Sequence, residues 1–397
     1  METEGVPAID HAHPLLRHLL ERMIELGASD LYLVAGTTPM CRVEGIVSPV
    51  ADRVLNPEIL HELSRSIMDD RQWERFCRTL EMNLALPIAT SERARFRVNV
   101  FKQRESHAVV IRRVDVCTPT IDGLGLPPIL KNLAAAPRGL VLVVGATGSG
   151  KSTTLAAMVN HRNEQMSGHI ITIEDPIEYL HTHKRAIVSQ REIGFDTRSY
   201  RTALKNALRQ APDVLLIGEI RDCATMETAL AVADTGHLCL GTLHSTNAIQ
   251  TFERVINFFP EIRQKEIYLH LSVNLRAIIA QRLVMGTDGR RVAALEILLD
   301  TPRIKDLIKK GEINSLREAI SQGMPEGCRL FDDDLLNLYA AGRIDLDEAL
   351  RNADSVNNLR LRIKKQEGKM SWVGEEQDTA EILGDSGSPL KIRDAAA

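Results

Sequence analysis

Leu15, Leu16, Leu19, Leu20, Met23 and Ile24 recur at the spacing of one helical face, and Gly27 stands where such a helix would end. Asp30 to Val34 then reads as a strand, with Met40 to Val50 as further β structure broken at Gly45. Asn56 followed by Pro57 pairs a capping side chain with a proline in the first turn, which predicts a helix through about Met68. A second, shorter helix is expected over Trp73 to Leu80. From Arg95 to Val100 the alternation is strict, with Phe96, Val98 and Val100 on one face and Arg95, Arg97 and Asn99 on the other. That strand is expected to pair with Ala108 to Val114, giving an α+β domain over residues 14–116.

Residues 117–128 hold two glycines and three prolines, so they predict a linker and not a regular element. From residue 129 onward strand-like and helix-like patterns alternate, the signature of parallel strands covered by helices. The predicted strands are Leu140 to Val144, Ile170 to Ile173, Val214 to Ile217 and Leu238 to Leu240. Beyond about Ala294 the pattern turns mostly helical, with amphipathic pieces at Leu335 to Ala340 and Leu346 to Ala353. The expected fold class is therefore α/β. It runs as a flexible start (1–13), the α+β domain (14–116), the linker (117–128), an α/β core (129–293), a helical C-terminal region (294–365) and a disordered tail (366–397) rich in Gly, Ser, Asp and Glu.

The 397 residues suffice for two or three separately cored domains. With 49 basic against 53 acidic residues and 4% aromatics, the chain lacks the basic excess and stacking side chains of a typical nucleic-acid binder, so no nucleic-acid partner is expected. Cys41, Cys77, Cys117, Cys223, Cys239 and Cys328 form no C-x-x-C pair, which argues against a zinc knuckle or a disulfide framework and for a reduced, cytoplasmic setting. No apolar run approaches the ~18 residues that span a bilayer, so any membrane association is expected through partners.

The chemistry is concentrated after residue 140. The apolar run Leu140 to Val144 feeds directly into Gly145-Ala146-Thr147-Gly148-Ser149-Gly150-Lys151-Ser152-Thr153, the spacing in which backbone N–H groups turn inward around a phosphate at a helix start. In that arrangement Lys151 reaches the β- and γ-phosphates of ATP and Ser152 offers its hydroxyl to Mg²⁺. Two acidic stations follow at predicted strand ends. Glu174 and Asp175 lie just before Pro176, with Glu178 beyond, and Glu219 ends Val214 to Ile217. Ligands of open α/β sheets bind at such carboxyl ends, so these acids and the glycine loop are expected at one crevice. Gly218 occupies the usual Walker B aspartate position, and spacing alone leaves open which of Glu174 and Glu219 activates water. His237 and His244 flank the next strand as candidate charge-responsive groups. Arg95, Arg97, Arg112 and Arg113 crowd one sheet of the N-terminal domain, either as a salt-bridged face or as charge supplied to the phosphates.

In order, residues 145–153, 171–178, 213–222 and 235–244 resemble the Walker A, aspartate-box, Walker B and histidine-box motifs of the type II/IV secretion ATPase superfamily. Gly27 to Leu31 and Ala94 to Asn99 look like the N-terminal domain of the type IV pilus retraction ATPases, the PilT/PilU family. The resemblance implies a PAS-like N-terminal domain, a RecA-like P-loop domain and a homo-hexamer that hydrolyses ATP with Mg²⁺ at the cytoplasmic face of the inner membrane. It implies Glu174 and Glu219 as the catalytic and Mg²⁺-associated acids, His237 and His244 as the histidine-box pair, and Arg95, Arg97 and Arg112 as phosphate sensors. The absence of a tetracysteine module points to retraction and away from assembly. The stretch Thr301 to Ile308, the segment Leu335 to Ile363 and the acidic tail look like the PilU branch, whose implied partners are a PilT-type ring and an inner-membrane platform protein.

Overall fold

The computed structural model describes residues 13–43, 45–87, 94–115 and 118–366. The expected flexible start through residue 12, the Cys117 end of the linker, the tail from residue 367 and the side chain of Arg95 lie outside the described residues. The described residues separate into two compact units, those up to 139 with 152–241 and residues 140–151 with those from 242 onward. The segment 129–293, expected as one core, thus contributes to both.

The first unit opens with α1 (Pro14–Glu25), β1 (Asp30–Val34), β2 (Met40–Val43), β3 (Ile46–Pro49), α2 (Pro57–Ser66), α3 (Asp70–Thr79), β4 (Glu81–Pro87), β5 (Ala94–Gln103) and β6 (Ser106–Asp115). The strands form an antiparallel sheet in the order β3-β2-β1-β6-β5-β4. Leu16, Leu19, Leu20 and Met23 of α1, Leu60 and Leu63 of α2 and Phe76 of α3 share its core with Phe96, Val98 and Val100, as the alternation of β5 requires. Asn56 Oδ1 accepts from the N–H of Ile59 at 2.9 Å, the expected cap of α2. The next helix begins at Asp70, earlier than expected. The Asp69 carboxylate accepts from Gln72 N–H at 2.7 Å while the Gln72 side chain accepts from Asp69 N–H, a reciprocal cap that sets the start. In the linker Ile121 and Leu126 are buried, and the N–H of Gly123 donates to Thr120 Oγ1 at 3.0 Å.

After α4 (Ile129–Ala134) the chain continues as β7 (Gly139–Val144), α5 (Lys151–Gln165), β8 (Gly168–Glu174), β9 (Ala186–Glu192), α6 (Tyr200–Ala207), β10 (Val214–Ile217), α7 (Cys223–Asp234) and β11 (Leu238–Leu243). It ends with α8 (Ala248–Asn257), α9 (Glu261–Asn274), β12 (Leu275–Met285), β13 (Arg291–Leu299), α10 (Pro302–Lys310), α11 (Leu316–Gln322), α12 (Phe331–Ala340), α13 (Leu346–Arg351) and a further helical stretch at 356–366.

Within the first unit β11, β10, β8 and β9 lie side by side and parallel, with Val214 opposite both Leu238 and Ile170. β9 closes this set as its edge. Its register places Gln190 opposite Thr172 and Glu192 opposite Glu174. The sequence hid β9 because Ser189, Gln190, Arg191 and Glu192 make it half polar.

Within the second unit β7 pairs in parallel with β12, and β12 pairs antiparallel with β13. The boundary expected at 293/294 falls inside β13, so residues 294–299 are strand and helices resume only at Pro302, capped by Thr301. Residues 294–299 are all buried, a continuous run without the period that would tell strand from helix. Val284, Val292 and Ala294 pack with Leu335 of α12, Ala349 of α13, and Leu359 and Ile363 of the last helical stretch. Among the described residues no helix is long and apolar enough to cross a membrane.

Candidate active site

In the second unit the glycine loop turns hard against β12. Gly145, Gly148 and Gly150 hold φ of 156°, 78° and 85°, a region that side-chain-bearing residues rarely adopt. A Cβ on Gly145 would lie 2.5 Å from the carbonyl oxygen of Gln281, and one on Gly150 would lie 2.7 Å from Gln281 Nε2. Lys151 is buried, and its Nζ donates to the carbonyl oxygens of Gly145 at 2.9 Å and Ala146 at 2.8 Å. The hydroxyl of Ser149 is buried with no hydrogen-bond partner. A cradle without room for side chains, an ammonium folded over it and an unspent hydroxyl fit a bound phosphate chain.

Two cavities adjoin the loop inside this unit. One of about 400 Å³ is bounded by residues 146–149 and by Gln281, Arg282, Arg291 and Asn352. The other, of about 360 Å³, brings His244, Thr246 and Gln250 beside Ala146 and Thr147. The backbone of His244 is anchored, its carbonyl accepting from Arg254 Nη1 at 3.0 Å. Motif reading missed Gln281 and Arg282. The available signal was a polar pair closing the apolar run Ala277 to Ala280, with Gln281 itself buried.

In the first unit the parallel register carries Glu174 and Glu219 to the same ends of neighbouring strands. Glu174 Oε1 accepts from Thr172 Oγ1 at 2.6 Å and from Gln190 Nε2 at 3.3 Å. Burial pushes its carboxyl up to about 7, against the opposing pull of those two hydrogen bonds. Glu219 pairs with Arg221 Nη2 at 2.6 Å. Ser152 and Thr153, the last residues of the loop motif, belong to this unit, and Thr153 Oγ1 shares a 3.0 Å hydrogen bond with the hydroxyl of Tyr179.

Gly218 has a packing reason to be glycine. A Cβ there would lie 3.0 Å from the Tyr200 hydroxyl and 3.1 Å from both the Glu174 Cα and the Ile173 carbonyl oxygen. An aspartate at this Walker B position would crowd the strand that carries the other acid. Gly218→Ala should accordingly cost about 1–3 kcal/mol, seen as a lower midpoint in thermal unfolding; an unchanged midpoint would show that the space is available after all.

The structure does not bring His237 to the acids. His237 precedes β11, opposite the start of β10, whereas Glu219 follows the end of β10, so the whole length of β10 lies between them. Its Nδ1 meets Thr235 Oγ1 at 3.0 Å, and its carbonyl accepts from Gly139 N–H at 3.0 Å. The arginines also have local partners. Arg97 donates through Nε and Nη2 to Glu192 Oε1 at 3.2 and 2.9 Å, and Arg112 Nε donates to Asp30 Oδ1 at 2.8 Å. Of the two readings of this face, the salt-bridged one describes Arg97 and Arg112 within their unit.

Among the described residues no group of three or more His, Cys, Asp or Glu side chains could hold a metal ion. Mg²⁺ needs no such cage, since it keeps several waters and binds through one or two protein oxygens plus substrate phosphates.

The sequence matches the family described as Type II/IV secretion system protein over residues 9–382. It is 47% identical to the type IV pilus ATPase PilU of Pseudomonas aeruginosa over 95% of this chain and 96% of that protein. It is 41% identical to the type IV pilus retractation ATPase PilT of the same organism over 87% of this chain and 99% of that protein. Among solved structures, the pilus retraction motor PilT with bound ADP superposes with a TM-score of 0.80 at 38% identity, covering 86% of this chain and 98% of its own. A shared fold, shared length and a glycine cradle of the right form lead to one placement: the chain belongs to the type II/IV secretion system protein family, as an ATPase of its type IV pilus branch.

Proposed function

We propose that this chain is the subunit of a homo-hexameric motor that hydrolyses ATP to power type IV pilus retraction, as the PilU-type accessory to a PilT-type ring. The observation that carries the reading is the full-length likeness to PilU joined to a glycine loop whose Lys151 and Ser149 are poised for phosphate. The loop amides and Lys151 bind the β- and γ-phosphates, and Ser152 presents its hydroxyl to Mg²⁺. When bound, Mg²⁺ neutralises charge on those phosphates. Glu174 is the base that takes the proton of the attacking water. A carboxyl near 7 is a stronger base than an ordinary carboxylate and is about half ionised at neutral pH. Glu219, oriented by Arg221, serves the Mg²⁺ water shell. His244 borders the phosphate loop as a responsive side chain, and His237 has no part in this scheme.

The motor works at the cytoplasmic face of the inner membrane, held there by a pilus platform protein and the PilT-type ring. The test is retraction force and frequency in a deletion strain, alone and combined with a catalytically dead PilT. Retraction should weaken in the first background and cease in the second. No change in either would overturn the motor reading, and loss of pili in place of excess pili would indicate an assembly ATPase.

A further inference from the structure

Between Glu174 and β9 the chain runs as a strap, residues 175–181, fixed by two side chains of β9 that share one face. Gln190 donates through Nε2 to the Tyr179 carbonyl at 2.9 Å and to Glu174 Oε1 at 3.3 Å, and its Oε1 accepts from His181 N–H at 2.8 Å. Glu192 Oε2 accepts from Ile177 N–H at 3.2 Å, while the backbone next to it, Ile193 N–H, donates to the Glu174 carbonyl at 2.9 Å. Glu192 is 3% exposed, and its other oxygen is held by both Nε and Nη2 of Arg97, a residue of the N-terminal sheet 95 positions away.

A buried carboxylate strongly needs its partners, and removing one leaves a charge uncompensated. Glu192 is therefore bound on both sides, to a strand of the N-terminal domain and to the strap behind Glu174. We propose that Gln190 and Glu192 are positioning residues that hold the Glu174 carboxylate in its working orientation, and that Arg97, through Glu192, makes that orientation depend on where the N-terminal domain stands. The inference rests on Glu174 as the base. It assigns Arg97 a role in turnover through Glu192, and it gives the strap a second anchor at the loop motif through Tyr179 and Thr153.

A double-mutant cycle on the assembled full-length protein tests it, with kcat and KM for ATP measured for Arg97→Gln, Glu192→Gln and the pair. Each single change should lower kcat about fivefold or more while KM moves less than about twofold, and the double variant should be no worse than the poorer single. Arg97→Lys, which keeps one cationic donor opposite Glu192, should recover part of the rate. If Glu192→Gln does not fold, the Arg97→Gln and Arg97→Lys pair still decides. Losses that multiply in the double variant, or a loss confined to KM, would overturn the proposal, the latter by pointing to direct phosphate contact. Glu174→Gln run alongside separates the two levels. Full turnover there would remove the base assignment beneath the inference, whereas a dead Glu174→Gln with multiplying losses would remove only the coupling.

Discussion

Glu174→Gln should bind ATP with near-parental affinity and turn it over at least about a hundredfold more slowly, the usual weight of a general base. The substitution keeps the size and hydrogen-bonding capacity of the side chain, so the Thr172 hydroxyl and the strap keep a partner. Only the proton acceptor is lost. The parent enzyme carries a second signature of the same group. Because burial raises the Glu174 carboxyl to about 7, the base is protonated and idle below that pH and ionised above it. Turnover should rise through a single step near pH 7 and then level off, and Glu174→Gln should lose that step along with the rate. A steady-state ATPase assay from pH 5.5 to 9, with nucleotide binding followed by a fluorescent ATP analogue, reads both effects. Equal loss of binding and turnover would reassign Glu174 to the substrate pocket.

Lys151→Ala should fail one stage earlier. The ammonium is buried and spends hydrogen bonds on the Gly145 and Ala146 carbonyls, so its removal strips the only side-chain cation of the loop motif and leaves those oxygens facing the cradle. Losing a preorganised charge aimed at the transferring phosphoryl group costs on the order of a hundredfold to a thousandfold in rate, and ground-state phosphate binding weakens with it. The expected result is no saturable ATP binding in the range where Glu174→Gln binds normally, and no hydrolysis. Saturable binding at parental affinity in Lys151→Ala would show that the backbone amides suffice.

The positions of these two residues, though not which acid activates water, were legible from the chain alone because each sits in a pattern whose spacing places it. Strand, glycine loop and helix start must be contiguous, and an acid after an apolar strand must fall at the strand's end. Where function depends on which groups meet across the fold, spacing gave less. His237 and His244 both flank an apolar strand in sequence, with His244 favoured by its place at the strand end, and His244 comes beside the loop. Arg97 and Arg112 share a face in the alternation, yet their partners Glu192 and Asp30 lie 95 and 82 residues away, beyond any local pattern. Gln190 carried no motif at all. Its importance comes from the β8–β9 register, and β9 was itself hidden by its polar residues. The run 294–299 was misread for the opposite reason, since uniform burial erases the period that separates strand from helix.

The place of β9 at the edge of the parallel set bears on how such a machine would feel load. β10 is laddered on both sides, so moving it tears two sets of hydrogen bonds, whereas β9 is laddered to β8 alone. The strand that carries Gln190 and Glu192 thus has a backbone ladder on one side only. If Glu174 is the base, tension arriving through Arg97 would reach that singly laddered strand, and with it the side chains that hold Glu174. A pilus that resists retraction would then stall the chemistry while the nucleotide stays bound, so a loaded subunit would wait with its fuel in place.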